Sequence, residues 1–254
     1  NMAFRTKDRI PNVYEHWIAK DFFAYIRIAQ GSDKRADFLS IMNKPKRYIG
    51  RDSLCEPHVA FDEWIRMYDE QPWIAERIEQ LWHDTRVLNT LSPYAAINFI
   101  RRGIGYDDYI ADYADYRNVN KDDLYDVADE ILSNAKGYRT LEEWYTHIEN
   151  YKKELEELAK RGNSNEDAVV LATLHSSKGL EFEKVFLIDV NEGITPYKKA
   201  VLQPDMEEER RLFYVGMTRA KRSLTLCSVK TLHNKKVELS RFLKEAGAES
   251  LPKE

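Results

Sequence analysis

The chain has 254 residues, of which 43% are hydrophobic, 32% charged and 12% aromatic, enough apolar content to exclude extended disorder and enough length for one or two packed domains. A formal net charge of −4 excludes a generally basic nucleic-acid coat, although a local basic stretch such as Lys44-Pro45-Lys46-Arg47 remains available. Two distant cysteines, Cys55 and Cys227, match neither a secreted disulfide framework nor a metal-ligand pair, and no run reaches the roughly 20 apolar residues that cross a bilayer, so a reduced, cytoplasmic protein with no membrane partner is expected.

From Val13 to Ile28 aromatic and apolar residues recur with little room for a polar face, which predicts a well-buried helix. Gly31-Ser32-Asp33 breaks it, a short helix follows over Ala36 to Met42, and Pro45 with the Arg47-Tyr48-Ile49-Gly50 turn marks a boundary near residue 50. Residues 59–160 read as wholly helical, with Ile74, Ile78, Leu81 and Trp82 at helical spacing and Pro72, Pro93, Gly103 and Gly137 as punctuation. The charged helix from Leu141 to Lys160 presents a solvated face. A polar linker over 161–165 then gives way to β character at Val169-Val170-Leu171, Val185-Phe186-Leu187-Ile188 and Ser223 to Val229. The expected organisation is an α/β layer interrupted by an all-helical insertion, with the first helices belonging to the α/β part.

Between the first two of those β runs lies the most chemically loaded loop of the chain. Thr173 and Ser176 supply hydroxyls, His175 an imidazole and Lys178 a positive charge, groups that suit a nucleic-acid backbone, while Gly179 lets main chain approach closely and Glu181 can accept from a ribose hydroxyl. Open α/β sheets bind ligands at such strand ends, yet an ordinary surface connection would look the same. A helix over Met206 to Lys221 offers Leu212, Val215, Gly216 and Ala220 to a sheet, pairs Glu207 with Arg211 at its surface, and carries Arg219 toward its end. That arginine either favours the helix dipole or reaches a phosphate, and spacing alone leaves both open.

Thr173-Leu174-His175-Ser176-Ser177-Lys178-Gly179-Leu180-Glu181-Phe182 resembles motif V, and Glu207 through Ala220 resembles motif VI, of UvrD/Rep/PcrA-type superfamily 1 DNA helicases. Weaker similarity covers Tyr14 through Arg27 and Lys44 through Gly50. The resemblance implies a partial RecA-like domain 2A over 1–50 and 166–254, interrupted by a helical 2B domain over 51–165. It implies that Thr173, His175 and Lys178 touch single-stranded DNA, that Glu181 meets the nucleotide ribose, that Gly179 permits the loop geometry, and that Arg219 reaches the γ-phosphate as the catalytic arginine. Ile49 and Gly50 resemble the glycine-containing turn that the family places against a duplex, with Tyr48 standing where a glycine is common.

No Gly-Lys-Ser or Gly-Lys-Thr occurs in the sequence, so it contains no P-loop. By the resemblance, ATP and Mg2+ belong to a longer 3′-to-5′ helicase whose amino-terminal motor domain completes the site, and the present chain alone is expected to bind neither and to hydrolyse nothing. Expected partners are single-stranded DNA, a duplex junction and that motor domain. A stand-alone, non-enzymatic DNA-binding or regulatory module is the alternative. Val185 to Asp189 imitates a magnesium-binding Walker B strand but lacks a glutamate at residue 190, and Arg102-Gly103-Ile104-Gly105 is too short to claim phosphate.

Overall fold

The computed structural model describes residues 4–8, 10–161, 168–232 and 235–247. The chain divides into two compact units, one running Pro11–Leu155 and the other joining the segment up to Ile10 with the chain from Glu156 onward. The polar linker expected over 161–165 lies, from Gly162 on, outside the described residues.

The helical unit is built around α1 (Trp17–Ala29), in which Ile18, Phe22, Tyr25 and Ile26 are all buried. A helix so apolar needs neighbours on several sides. It finds them in α2 (Arg35–Ile41), α4 (Pro72–Leu88) and α7 (Lys121–Asn134). Also in this unit are α3 (Phe61–Arg66), α5 (Pro93–Asn98), α6 (Tyr106–Arg117) and most of α8 (Leu141–Arg161), so the helical reading of 59–160 holds. One hydrophobic core runs from Ile18 and Phe38 through Trp64, Ile78 and Ile97 to Trp144. The buried Trp144 ring lies 5.5 Å from that of Phe23 and 6.3 Å from that of Tyr14, aromatic pairs worth about 0.5–1.5 kcal/mol each beyond their area. The first two helices therefore belong with the helical region and not with the α/β part. The divisions fall at 10/11 and 155/156 instead of near 50 and 165, because the demand of α1 for partners outweighs the turn chemistry at Pro45 and Gly50.

A buried polar knot fixes the segment after α2. Asp21, 4% exposed, accepts from Lys44 Nζ at 2.7 and 2.8 Å and from the Tyr106 hydroxyl at 2.5 Å. Burial raises the Asp21 pKa, and these hydrogen bonds oppose the rise. Arg47 Nη1 donates to the carbonyls of Ile41 and Met42 at 3.1 and 3.3 Å, its Nη2 donates to the Tyr25 hydroxyl at 3.1 Å, and that hydroxyl donates to the Lys44 carbonyl. The basic stretch Lys44 to Arg47 is thus mostly turned inward, and of its three cations only Lys46 is exposed.

In the α/β unit, β1 (Phe4–Thr6) pairs in parallel with β2 (Val169–Leu171), Phe4 opposite Val169. A second parallel pair joins β3 (Phe182–Leu187) to β4 (Ala220–Leu226), with α9 (Gln203–Met217) between them in sequence. A short antiparallel pair, β5 (Thr231–Leu232) with β6 (Lys235–Lys236), and α10 (Arg241–Glu245) follow. With α9 between the parallel strands β3 and β4, the chain mixes helix and sheet, as the expected α/β class does. Among the described residues the buried core of this unit comprises Val190, Phe213, Phe242 and Leu243. It is reinforced by the fully buried Asn191, whose side chain donates to the carbonyls of Val229 at 2.9 Å and Glu238 at 3.0 Å and accepts from the Val229 amide at 3.0 Å.

Two details depart from the sequence reading. β4 begins at Ala220, so α9 stops at Met217 and Thr218-Arg219 form the turn between helix and strand. The surface pairs on α9 are Arg210 with Glu207 at 2.6 Å and Arg211 with Glu208 at 3.0 Å, three residues apart, in place of Glu207 with Arg211. Among the described residues no helix is long and apolar enough to cross a membrane.

Candidate functional site

Strand pairing builds the site. Because β1 lies in register beside β2, Asp8 stands next to the residues that follow β2, and its Oδ2 accepts from the Thr173 amide at 2.9 Å and the Ser176 hydroxyl at 2.6 Å. Those bonds, the Ser176 hydroxyl foremost, hold the Asp8 carboxyl below its ordinary pKa. Within the loop Thr173 Oγ1 donates to Ser176 Oγ at 3.0 Å and accepts from the Ser176 amide at 3.2 Å, while Ser177 Oγ donates to the Leu174 carbonyl at 2.7 Å. A turn closed this thoroughly on itself leaves Thr173, His175 and Lys178 exposed along its outside. Gly179 has φ +82°, in the left-handed region that favours glycine, and a β-carbon there would meet nothing within 4 Å. Conformation, not crowding by the chain itself, calls for glycine at this position.

Gly216 answers a different need. A β-carbon on it would lie 2.5 Å from Leu174 Cδ2 and 3.3 Å from Leu187 Cδ2, so its bareness lets α9 press against both the loop and β3. That contact brings the end of α9 to the end of the loop. There the Arg219 guanidinium donates from Nε to the Val215 carbonyl at 2.8 Å, from Nη1 to the Leu180 carbonyl at 3.0 Å and from Nη2 to Thr218 Oγ1 at 2.9 Å. The Arg219 carbonyl in turn accepts from the Phe182 amide at 2.9 Å. All three side-chain acceptors are neutral. A phosphate, offering charge-assisted and bidentate bonds, would outcompete them. Glu181 is exposed, with one oxygen 3.3 Å from Lys221 Nζ.

The structure therefore brings Thr173, His175, Lys178, Gly179, Glu181 and Arg219 into one neighbourhood. Ile49 and Gly50 sit in the helical unit instead. Ile49 is only 3% exposed and packs in the core, so its side chain cannot meet a ligand, and its amide and carbonyl are both held by the Asn43 side chain. Gly50 is exposed, but its amide donates to the Tyr68 hydroxyl at 3.0 Å. Asp189 has φ +56° and its carbonyl accepts from the Asn191 amide, the behaviour of a turn residue at a strand end.

Three participants escaped the sequence reading: Asp8, the Leu180 carbonyl and Lys221. A single aspartate after a three-residue strand carries no signal that it will contact a loop 165 positions away. Among the described residues no group of three His, Cys, Asp or Glu side chains could hold a metal ion. Chemically the site presents a guanidinium fork that can donate to a phosphate and an exposed carboxylate that can accept from a hydroxyl.

The UvrD-like helicase C-terminal domain model matches residues 75–231. The chain is similar to the ATP-dependent DNA helicase Rep of Escherichia coli (strain K12), 30% identical over 91% of this chain and 38% of that protein. It is also similar to Rep of Salmonella typhimurium, 32% identical over 91% of the chain and 38% of the relative, and to the ATP-dependent DNA helicase PcrA of Bacillus subtilis, 29% identical over 85% and 32%. The chain thus spans between 32% and 38% of the length of these relatives.

Proposed function

Since the chain belongs to the UvrD-like helicase C-terminal family, we propose that it is the carboxy-terminal share of an ATP-dependent 3′-to-5′ DNA helicase. In this reading the α/β unit is motor domain 2A and the helical unit is domain 2B. An amino-terminal motor domain of the same polypeptide would supply the P-loop lysine and the magnesium-binding carboxylates. Bound ATP with Mg2+ would supply the phosphoryl group whose hydrolysis drives movement along DNA.

The observation that carries the proposal is the union of loop and arginine at one place, tied by the 3.0 Å bond from Arg219 Nη1 to the Leu180 carbonyl. Thr173, His175 and Lys178 face outward for a single strand, while Glu181 and Arg219 lie at the loop's other end for a nucleotide. A nucleotide phosphate that draws Arg219 off the Leu180 carbonyl would release the end of the strand-binding loop. Nucleotide state and grip on DNA would then be coupled through one hydrogen bond. Arg219 would stabilise charge on the transferring phosphoryl group, a contribution of about 10³–10⁵ in rate where such arginines have been characterised.

Binding of a fluorescent dT20 oligonucleotide to the 254-residue chain, followed across a salt series, tests the strand-binding half. Lys178→Ala is expected to weaken binding and to reduce the slope of log affinity against log salt by about 0.7, the share of one released counterion on a single strand. An unchanged affinity and slope would remove Lys178 from the site.

A further inference from the structure

The helical unit carries an exposed cluster of rings and cations outside the site just described. Tyr48 is 54% exposed and Trp73 is 48% exposed, with ring centroids 5.8 Å apart and planes inclined at 68°. Lys46 Nζ lies 4.5 Å from the Tyr48 ring centroid, and the Arg77 guanidinium lies 5.1 Å from the centroids of both rings. Arg77 Nη1 is buried without a hydrogen-bond partner. Tyr48 has φ +60°, a left-handed backbone that disfavours any residue with a β-carbon. An aromatic residue held in an unfavourable conformation, with its ring left in solvent, points to a use for that ring.

Resting on the reading that the substrate is DNA, we propose that Tyr48 and Trp73, with Lys46 and Arg77, form a second nucleic-acid contact that receives unpaired bases. A duplex offers its flank as phosphates and sugars, for which cations suffice and rings add little. Unpaired bases expose their faces, and every base can stack on an aromatic ring or on a guanidinium plane. Arg77, already lying over both rings, extends that stacking surface, and Lys46 stands beside it for the adjoining phosphate. The platform is also preorganised. The Asn43 side chain accepts from the amides of Arg47 and Ile49, and Arg47 is pinned to the carbonyls behind it, so the backbone on both sides of Tyr48 is fixed before any ligand arrives. With its ring in solvent beside Trp73, Tyr48 makes this turn a stacking surface that selects single-stranded ends over smooth duplex.

Fluorescence anisotropy on the 254-residue chain tests this with two fluorescein-labelled probes, a blunt 15-base-pair duplex and the same duplex carrying a five-thymidine overhang. Trp73→Ala and Tyr48→Ala are expected to weaken binding of the overhang probe roughly tenfold while leaving the blunt duplex within about twofold. Trp73→Phe, which keeps a stacking face, is expected to bind as the unchanged protein does. 5-Iodouracil placed in the overhang is expected to crosslink to peptides containing Tyr48 or Trp73. Equal loss on both probes would overturn the proposal, because it would mean a backbone contact. Crosslinks confined to residues 168–232 would overturn it too, while leaving the strand-binding loop as the site. Binding of neither probe would remove both readings.

Discussion

Asp8 shows how a site can depend on a residue that does no chemistry. Its carboxylate takes up the Thr173 amide and the Ser176 hydroxyl, so Asp8→Ala removes both bonds and loosens the turn that presents His175 and Lys178. Affinity for dT20 is expected to fall about three- to tenfold, with helical circular dichroism unchanged, as for the loss of one or two charge-assisted hydrogen bonds. A second carboxylate sets a pH dependence. Burial alone would raise the pKa of Asp37, but hydrogen bonds from Arg27 at 2.6 Å and Ser32 at 2.7 Å outweigh it and hold the carboxyl below its ordinary 3.8. A carboxyl lowered on folding adds stability that is complete above its unfolded pKa and is lost as pH falls through the folded one. Asp37→Asn should therefore flatten part of the loss of stability below about pH 4, as urea denaturation at about pH 6 and about pH 3 would show. At this scale the exposure of His175 and Lys178 was legible in the sequence, since an imidazole and an ammonium between two apolar runs turn outward to water, whereas the Ser176 and Ser177 hydroxyls turn inward to Asp8 and the Leu174 carbonyl. The inward turn of Ile49, Lys44 and Arg47 was not, because it depends on Asn43, Tyr25 and Asp21 meeting them in space.

Among the elements, α9 and its junction with β4 decide where Arg219 stands. Helical spacing from Met206 onward continues through Thr218 and Lys221, and nothing in those residues forbids another turn. Pairing with β3 ends the helix instead, because Ala220 opposite Phe182 begins a parallel ladder. Helix placement in the middle of the chain was legible from Ile74, Ile78 and Leu81, which are all buried on α4. β1 was not, since three residues are too few for an alternation to be recognised. Gly216→Val tests the close approach of α9. The added methyl groups collide with Leu174 and Leu187, and a cost of about 1–3 kcal/mol in the stability of this unit is expected, together with weaker dT20 binding as α9 and the loop part. Gly216→Ala should cost less, because the end of the Leu174 side chain can swing aside.

Taken whole, the molecule has two units whose described residues bury cores of different extent. Among the described residues the helical unit has a continuous core from Tyr14 to Ile148, whereas the buried cluster of the α/β unit consists of Val190, Phe213, Phe242 and Leu243. Phe186 in β3 and Ile188 after it are 65% and 68% exposed. Parallel strands are ordinarily covered on both faces. Unfolding is therefore expected in two steps, with amides of β3 and β4 exchanging hydrogen at lower urea than those of α1 and α4. A single transition with both sets protected alike would contradict that division. The domain boundary near residue 50 could not have been corrected from sequence, because α1 looks equally suited to cover a sheet or to fill a helical core.

Under the proposed function, this chain lends a strand-binding loop and an arginine to an ATP site completed elsewhere in a longer polypeptide. ATP turnover of that polypeptide at saturating dT20, with Arg219→Ala beside the unchanged protein, tests it most directly. Turnover is expected to fall about 10³-fold or more, a far larger loss than any change in oligonucleotide affinity. Turnover close to that of the unchanged protein would contradict the claim and leave Arg219 as a cap on α9.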